Sequence, residues 1–235
     1  MHTALSGILF QSYGWSGPAP FCFPPGDFHA NETIGRTWPR GPPIVLGSKG
    51  YAWTLDEAGA LRQFDRALDA GLNFIDTADR YSRWVPGHTG GKSETIIGNW
   101  LVKSGRRKDV LVAAKVGVEM GEGKSGPSAK YIAQAADDSL PRLRADYIDL
   151  YQAHGDDANT PVEETLDAFD RLVKAGKVRY IGASKYSGVR LAQALETSRK
   201  YGLANYVSLQ PHYNLVERQR FESDLLPVIQ KYELG

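Results

Sequence analysis

Six short apolar runs alternate with six longer amphipathic stretches between residue 44 and the C-terminus. The short runs are typical of buried strands, and the longer stretches repeat apolar residues at helical spacing. Strands separated by helices pair in parallel, and the helices then cover the sheet. The expected strands are 44–46, 72–75, 110–114, 147–151, 178–181 and 206–209, and the expected helices are 54–70, 93–102, 128–143, 161–175, 187–201 and 217–232.

This alternation has two common outcomes, a closed (β/α)8 barrel and an open doubly wound sheet. The residues alone leave both open. Boundary signals are clearest for the first helix, where Thr54 is expected to be the N-cap and Glu57 to complete a capping box. Gly71 is expected to end that helix at the C′ position.

Residues 1–43 lack the alternation. Four prolines fall between Pro18 and Pro25, and no helical or alternating period survives around them. A secretory signal is not expected, because the first residues carry no Lys or Arg and polar residues interrupt the apolar ones. We therefore expect an irregular, poorly ordered segment over 1–43 and a single domain of alternating strands and helices over 44–235.

Composition excludes several classes of protein. The 28 Lys and Arg against 27 Asp and Glu give a net charge of +1, so a nucleic-acid partner is not expected. No apolar run approaches the roughly 20 residues of a membrane span. Cys22 is the only cysteine, which excludes an internal disulfide or a cysteine-based zinc site. We expect a cytoplasmic protein without a metal or membrane contact.

One glycine motif suggests a dinucleotide fold. Residues 121–126 match G-x-G-x-x-G between a strand and a helix. In the dinucleotide fingerprint, however, the first glycine follows the strand directly. Here five residues separate Lys115 from Gly121, and Pro127 follows the last glycine. We therefore interpret the motif as a flexible connection.

Polar residues at the ends of the expected strands are more informative. Asp76, Lys115 and His154 each follow an apolar run, and Tyr81 lies five residues beyond Asp76. In a barrel, chemistry gathers at the carboxyl ends of the strands. Each residue alone has an ordinary structural explanation, such as a turn cap, a solvated strand end or a loop anchor. Together, an acid, an amine, a phenol and an imidazole would make a proton-transfer site.

At these residues the chain resembles the aldo-keto reductase family. The segments that carry the resemblance are 73–78 with Tyr81, 91–94, 147–154, 176–184 and 208–214, in the family's order. The resemblance implies an α/β fold, the (β/α)8 TIM barrel, of which about six units are present and which stops before the seventh strand. It also implies NADPH-dependent reduction of an aldehyde or ketone to an alcohol.

The resemblance implies a role for each catalytic candidate. Tyr81 would protonate the carbonyl oxygen, and the ammonium of Lys115 would lower the pKa of that phenol. Asp76 would keep Lys115 charged and in place. His154 would donate a hydrogen bond to the carbonyl oxygen and orient it.

The resemblance also implies cofactor contacts. Ser184 and Gln210 match positions that hydrogen-bond the nicotinamide carboxamide of NADP(H). Lys185 stands where the family usually has Asn, and it is expected to reach a cofactor phosphate instead. Family elements that stack on the nicotinamide and hold the pyrophosphate follow the seventh strand and have no counterpart in this sequence.

Aromatic residues of the first two strand-to-helix loops are candidates for the substrate pocket. Tyr51, Trp53 and Trp84 are expected to wall an apolar pocket for a small carbonyl compound, the alternative being scattered surface aromatics.

Three functions remain open at this point. The first is a working reductase. The second is a truncated non-catalytic barrel or binding module, because the family includes channel-associated subunits. The third is an aldolase that uses Lys115 as a Schiff base. In each case we expect self-association through the edges of the unclosed barrel.

Overall fold

The computed structural model describes residues 44–121 and 126–235. The expectation of an irregular segment over 1–43 therefore lies outside the described residues. The same holds for residues 122–125, the centre of the glycine motif.

Strands and helices alternate through the described part of the chain. The strands are β1 (Leu46–Gly47), β2 (Phe74–Asp76), β3 (Leu111–Val116), β4 (Ile148–Ala153), β5 (Val178–Ser184) and β6 (Tyr206–Gln210). The helices are α1 (Glu57–Asp69), α2 (Lys92–Ser104), α3 (Ala129–Leu143), α4 (Val162–Lys174), α5 (Gly188–Tyr201) and α6 (Leu226–Tyr232). None of the helices in these ranges has the length and apolar composition needed to cross a lipid bilayer.

The boundaries of α1 correct one expectation. Asp56 is the N-cap, and its carboxylate accepts a hydrogen bond from the Gly59 amide at 2.7 Å. Thr54 belongs instead to the preceding turn, where its hydroxyl donates to the Gly50 carbonyl at 3.3 Å. The capping box at Thr54 was therefore a wrong prediction. Gly71 is confirmed just after the helix, in the left-handed region at φ +81°.

The strands form one parallel sheet in the order β1-β2-β3-β4-β5-β6. A doubly wound sheet would reverse its order at a switch point, so sequential order identifies a curled, incomplete (β/α)8 barrel. Beyond β6, the Gly235 amide donates to the Val207 carbonyl at 3.0 Å, and the Leu209 amide donates to the Gly235 carbonyl at 2.9 Å. Gly235 thus pairs in parallel with the outer edge of β6.

Two apolar layers fix which strand residues face the site. The larger core lies between the sheet and the helices and includes Ile75 and Tyr151. A smaller cluster of Phe74, Ala113 and Leu150 lies on the other face, inside the barrel. Because strand side chains alternate between faces, the residues two positions after that cluster also point into the barrel interior. They are Asp76, Lys115 and Gln152.

Candidate active site

Lys115 is the centre of a buried polar site at the carboxyl ends of β2 and β3. Its side chain is almost fully buried, and its ammonium donates to three acceptors. These are Asp76 Oδ2 at 2.5 Å, the Thr77 carbonyl at 3.0 Å and Tyr81 Oη at 2.9 Å. An ammonium has three N–H donors, so all are used. Since Lys115 donates to Tyr81 Oη, the phenol keeps its own proton for another acceptor.

The charges of this site keep Lys115 ionised, and burial keeps Tyr81 protonated. Burial lowers the pKa of Lys115, but Asp76 and Tyr81 raise it, and the net shift is upward. For Tyr81, burial raises the pKa and Lys115 lowers it, and the net result is a pKa above the ordinary value of 10.0. Lys115 thus lowers the pKa of Tyr81 as expected, and burial together with the charge of Asp76 outweighs it in the net shift.

His154 completes the group as a neutral imidazole. Its ring centroid is 6.1 Å from that of Tyr81, with the two planes at 77°. Burial, followed by the positive charges of Lys115 and Lys185, lowers the pKa of His154 to about 2. A neutral imidazole donates from one ring nitrogen only. Nδ1 is buried and has no hydrogen-bond partner among the described residues.

The cofactor candidates meet where β5 and β6 end. Ser184 and Gln210 are register partners, and the Ser184 hydroxyl donates to the Gln210 carbonyl at 3.0 Å. Gln210 Oε1 is buried without a partner in the described part of the chain. A carboxamide NH₂ is a donor that this oxygen lacks, so the pair fits the polar end of a nicotinamide. Lys185 follows at φ +60°, with an exposed side chain.

The structure brings together two of the three aromatic candidates. Trp53 and Trp84 are 57% and 39% exposed, and their ring centroids are 5.6 Å apart in an edge-to-face arrangement. Trp84 also contacts the Tyr81 ring, at 6.3 Å between centroids. Tyr51 does not join them. It is buried in the core, where it packs against Phe64 and donates to Gln63.

Residues 43–235 match the model of the Aldo/keto reductase family. The chain belongs to this family. The resemblance noted in the sequence is thereby confirmed, together with the incomplete barrel. No set of three or more His, Cys, Asp or Glu residues in the described ranges is grouped to hold a metal ion.

Several curated proteins are similar to most of this chain. An uncharacterized oxidoreductase, YrpG, from Bacillus subtilis is 37% identical over 86% of this chain and 63% of its own length. A probable voltage-gated potassium channel subunit beta from Oryza sativa is 37% identical over 87% of this chain and 61% of its own. Aldo-keto reductase YhdN from B. subtilis is 36% identical over 77% and 53%. The chain thus spans about three fifths of these relatives' length.

Gln152 is a site residue that the sequence reasoning missed. It lies opposite Lys115 in the β3–β4 register, and its amide donates to Asp76 Oδ1 at 3.4 Å. Both carboxylate oxygens of Asp76 therefore have a donor. An amide within an apolar strand carries no chemical signature of its own. The alternation of side chains along β4 could have identified Gln152, because it lies two residues before His154 and therefore on the same face of the strand.

Buried hydroxyl groups hold the backbone behind Asp76. The Ser48 hydroxyl donates to the Asp76 carbonyl at 2.8 Å, and the Ser93 hydroxyl donates to Ser48 Oγ at 2.7 Å. Ser93 Oγ also lies 3.1 Å from Thr77 Oγ1. The first turn of α2 is thereby tied to the ends of β1 and β2. This cross-link fixes the carboxylate that orients Lys115.

Proposed function

We propose that this chain carries the catalytic part of an NADPH-dependent aldo-keto reductase that reduces an aldehyde or ketone to an alcohol, with Tyr81 as the proton donor. One observation carries the proposal. The ammonium of Lys115 donates to Tyr81 Oη at 2.9 Å, so the phenol accepts that bond and can give its own proton to a carbonyl oxygen. The neutral imidazole of His154 packs beside that phenol.

The proton leaves Tyr81 Oη for the carbonyl oxygen as negative charge develops there. The resulting phenolate is stabilised by the adjacent Lys115 ammonium, which Asp76 keeps charged. Solvent returns a proton to Tyr81 before the next turnover. A buried, protonated phenol thus becomes an effective acid only when the substrate oxygen accepts its proton.

His154 orients the substrate in this proposal. Because its pKa is lowered to about 2, it stays neutral at working pH and donates one hydrogen bond without transferring a proton. That bond fixes the carbonyl oxygen near Tyr81 Oη and favours charge on the oxygen. Trp53 and Trp84 provide an apolar wall on the Tyr81 side.

Ser184 and Gln210 would hold the nicotinamide carboxamide. The unpartnered Gln210 Oε1 would accept from the carboxamide NH₂, and Lys185 would carry positive charge beside it. When bound, the nicotinamide supplies the hydride that adds to the carbonyl carbon. A preference for NADPH over NADH is part of the proposal and is measured by comparing the two.

The test is NADPH oxidation with a panel of aldehydes and ketones, together with detection of the alcohol. Tyr81→Phe keeps the ring but removes the proton, so the turnover rate is expected to fall by about 10²–10⁴-fold. Tyr201→Phe is the matched control, because Tyr201 lies exposed at the end of α5, and its rate is expected to equal that of the unmodified chain. Equal rates for the unmodified chain and Tyr81→Phe would contradict the mechanism.

A second candidate is a binding subunit without turnover. Its support is the 37% identity to the probable potassium channel subunit from O. sativa. Titration of NADPH, followed by its fluorescence, separates the cases when combined with the rate assay. Binding without oxidation for every carbonyl tested would favour the binding subunit over the reductase.

The geometry disfavours the aldolase alternative. A Schiff base requires a neutral amine with a free lone pair. Burial opposes the charge on Lys115, yet Asp76 and Tyr81 raise its pKa overall, and its three N–H groups are already bonded. Lys115 is therefore held as a charged donor rather than as a nucleophile.

A further inference from the structure

Three cations besides Lys115 converge on the mouth of the site. Lys49 follows β1, Arg80 immediately precedes the proton donor Tyr81, and Lys185 follows the end of β5. The positive charges of all three act on His154, together with that of Lys115. They also act on one another, since Arg80 and Lys49 both disfavour the charge on Lys185. The sequence pattern did not reveal this cluster, because its members lie on three separate loops.

These charges lack acidic partners. Within the described ranges, none of Lys49, Arg80 and Lys185 forms an ion pair with a carboxylate. Asp76 is the carboxylate at the centre of the site, and both of its oxygens are already engaged by Lys115 and Gln152. Positive charges that face one another across a partly buried opening repel each other, and a bound anion would relieve that repulsion.

Arg80 is the member most clearly prepared for a ligand. Its Nε is buried and makes no hydrogen bond in the part of the chain that the structure describes. A buried donor without an acceptor is unfavourable, and a bound anion would supply that acceptor. Lys49 lies two residues after the end of β1, with its Nζ 5.8 Å from the Trp84 ring centroid. Trp84 in turn contacts Tyr81.

We propose that Arg80 and Lys49 bind an anionic group of the carbonyl substrate, so that the substrate class is aldehydes or ketones bearing a carboxylate or phosphate. This inference rests on the proposed reductase function and adds the substrate's charge to it. Arg80 directly precedes Tyr81 in the chain, and Lys49 lies against Trp84, whose ring contacts Tyr81. A planar guanidinium fork suits either oxyanion. Lys185 is assigned to the cofactor side, beside Ser184 and Gln210.

The kinetic test uses two matched pairs of substrates. Succinic semialdehyde is compared with its methyl ester, and glycolaldehyde phosphate is compared with glycolaldehyde, which separates carboxylate from phosphate. We expect kcat/KM to be at least about tenfold higher for the anionic member of one pair, the size of one charge-assisted contact. High salt is expected to reduce that preference.

Variants identify the residues that carry the preference. Arg80→Gln is expected to lower the ratio of anionic to neutral kcat/KM by about tenfold, and Arg80→Lys should retain part of it. Arg83→Gln is the matched control, because Arg83 is on the same loop but is not among the cations that act on His154. Its ratio is expected to stay at the unmodified value. If Arg80→Gln raises the KM for NADPH and leaves the ratio unchanged, the cluster serves the cofactor and the proposal is wrong.

A binding measurement without NADPH keeps the proposal testable if no turnover occurs. Tryptophan emission, to which Trp84 contributes as one of the chain's five tryptophans, is followed while glycolaldehyde phosphate or glycolaldehyde is added. Tighter binding of glycolaldehyde phosphate than of glycolaldehyde, lost in Arg80→Gln, supports the anion site. If the same chain oxidises no NADPH, only the proposed reductase function is contradicted. Equal affinity and equal turnover for charged and neutral ligands would overturn the anion site and leave the reductase function standing.

Discussion

Asp79 is a buried carboxyl group that the proposed chemistry does not use. One of its oxygens accepts a hydrogen bond from the Tyr131 hydroxyl at 3.0 Å, and the other has no partner among the described residues. Burial and the nearby Glu94 raise the pKa of Asp79 from 3.8 to about 7. Glu94 is itself paired with Arg142 at 2.6 Å. Asp79 is therefore largely protonated in the folded chain at mildly acidic pH.

This shift predicts a loss of stability with rising pH. The folded-state pKa is raised, so the stabilisation is fully present below about pH 4 and is lost as pH rises through about 7. Asp79→Asn keeps an acceptor for Tyr131 and removes the ionisation. The melting temperature of Asp79→Asn minus that of the unmodified chain is expected to be about 5 °C higher at pH 8 than at pH 5. Thermal melts at pH 5 and pH 8 measure this. Asp146→Asn, at an exposed site, is the control. If the melting-temperature difference between Asp79→Asn and the unmodified chain is the same at pH 5 and pH 8, the raised pKa of Asp79 is contradicted.

Gln152 provides a second prediction for a single residue. Gln152→Leu leaves Asp76 Oδ1 without its donor and loosens the carboxylate that orients Lys115. We expect kcat to fall by about tenfold while the KM for the carbonyl changes little, because Gln152 acts through Asp76. Gln134→Leu on the exposed face of α3 is the control, with circular dichroism to check folding. A rise in KM with unchanged kcat would instead place Gln152 against the substrate.

Residue identity was easier to predict than residue environment. The positions of Asp76, Tyr81, Lys115 and His154 at strand ends were visible in the sequence, and the structure places them within contact of one another. The net pKa of Tyr81 was not predictable, because it depends on how deeply the loop buries the phenol. Tyr51 was assigned to the pocket from its loop position, but its side chain turns into the core.

The type and order of the strands and helices could be predicted, because strands appear as short apolar runs and helices repeat apolar residues at helical spacing. The exact ends of these elements could not, because they depend on local turns. Thr54 and Asp56 are both suitable N-cap residues, and only the turn over 50–55 decides between them. Towards the C-terminus, a π-helical turn at Phe221–Leu225 leads directly into α6, which has proline in its first turn. Proline lacks the N–H that a regular turn would use there.

The cap of α1 gives a prediction at the scale of one element. Asp56→Ala removes the acceptor for the Gly59 amide and is expected to lower the free energy of unfolding by about 1 kcal/mol. Thr54→Ala removes only an exposed bond to Gly50 and is expected to change it by less than about 0.5 kcal/mol. Urea denaturation of both variants measures the difference. The assignment of the cap would be reversed if Thr54→Ala proved the more damaging change.

At the scale of the whole molecule, the sheet is curled but open. Sequential strand order makes β1 and β6 the two edges of the described sheet, and only Gly235 pairs with the outer edge of β6. Strand edges with unpaired backbone groups favour association with other strands. The exposed apolar side chains of Leu215 and Val216 lie on the loop that follows β6. The sequence indicated the barrel only through the family resemblance, whereas the sheet order itself distinguishes it from a doubly wound fold.

We therefore propose that this chain self-associates in a concentration-dependent manner. Sedimentation velocity over a range of micromolar concentrations is expected to show dimers or larger species. Replacing Leu215 and Val216 together by serine should shift the equilibrium toward monomer, because it removes exposed apolar surface from the loop that follows β6. Serine in place of exposed Val189 on α5 is the control. A strictly monomeric chain at every concentration would contradict this expectation.

The most direct test of the central claim is a double-mutant cycle on Tyr81 and Lys115. If the two residues act as one proton-transfer unit, Tyr81→Phe, Lys115→Met and the double variant lose kcat to a similar extent, since each already disables the unit. The measurement is the rate of NADPH oxidation with one aldehyde, on variants shown to be folded by circular dichroism. The account predicts that the double variant is no slower than the slower single variant. Losses that multiply, or an unmodified chain that oxidises no NADPH with any carbonyl, would contradict it.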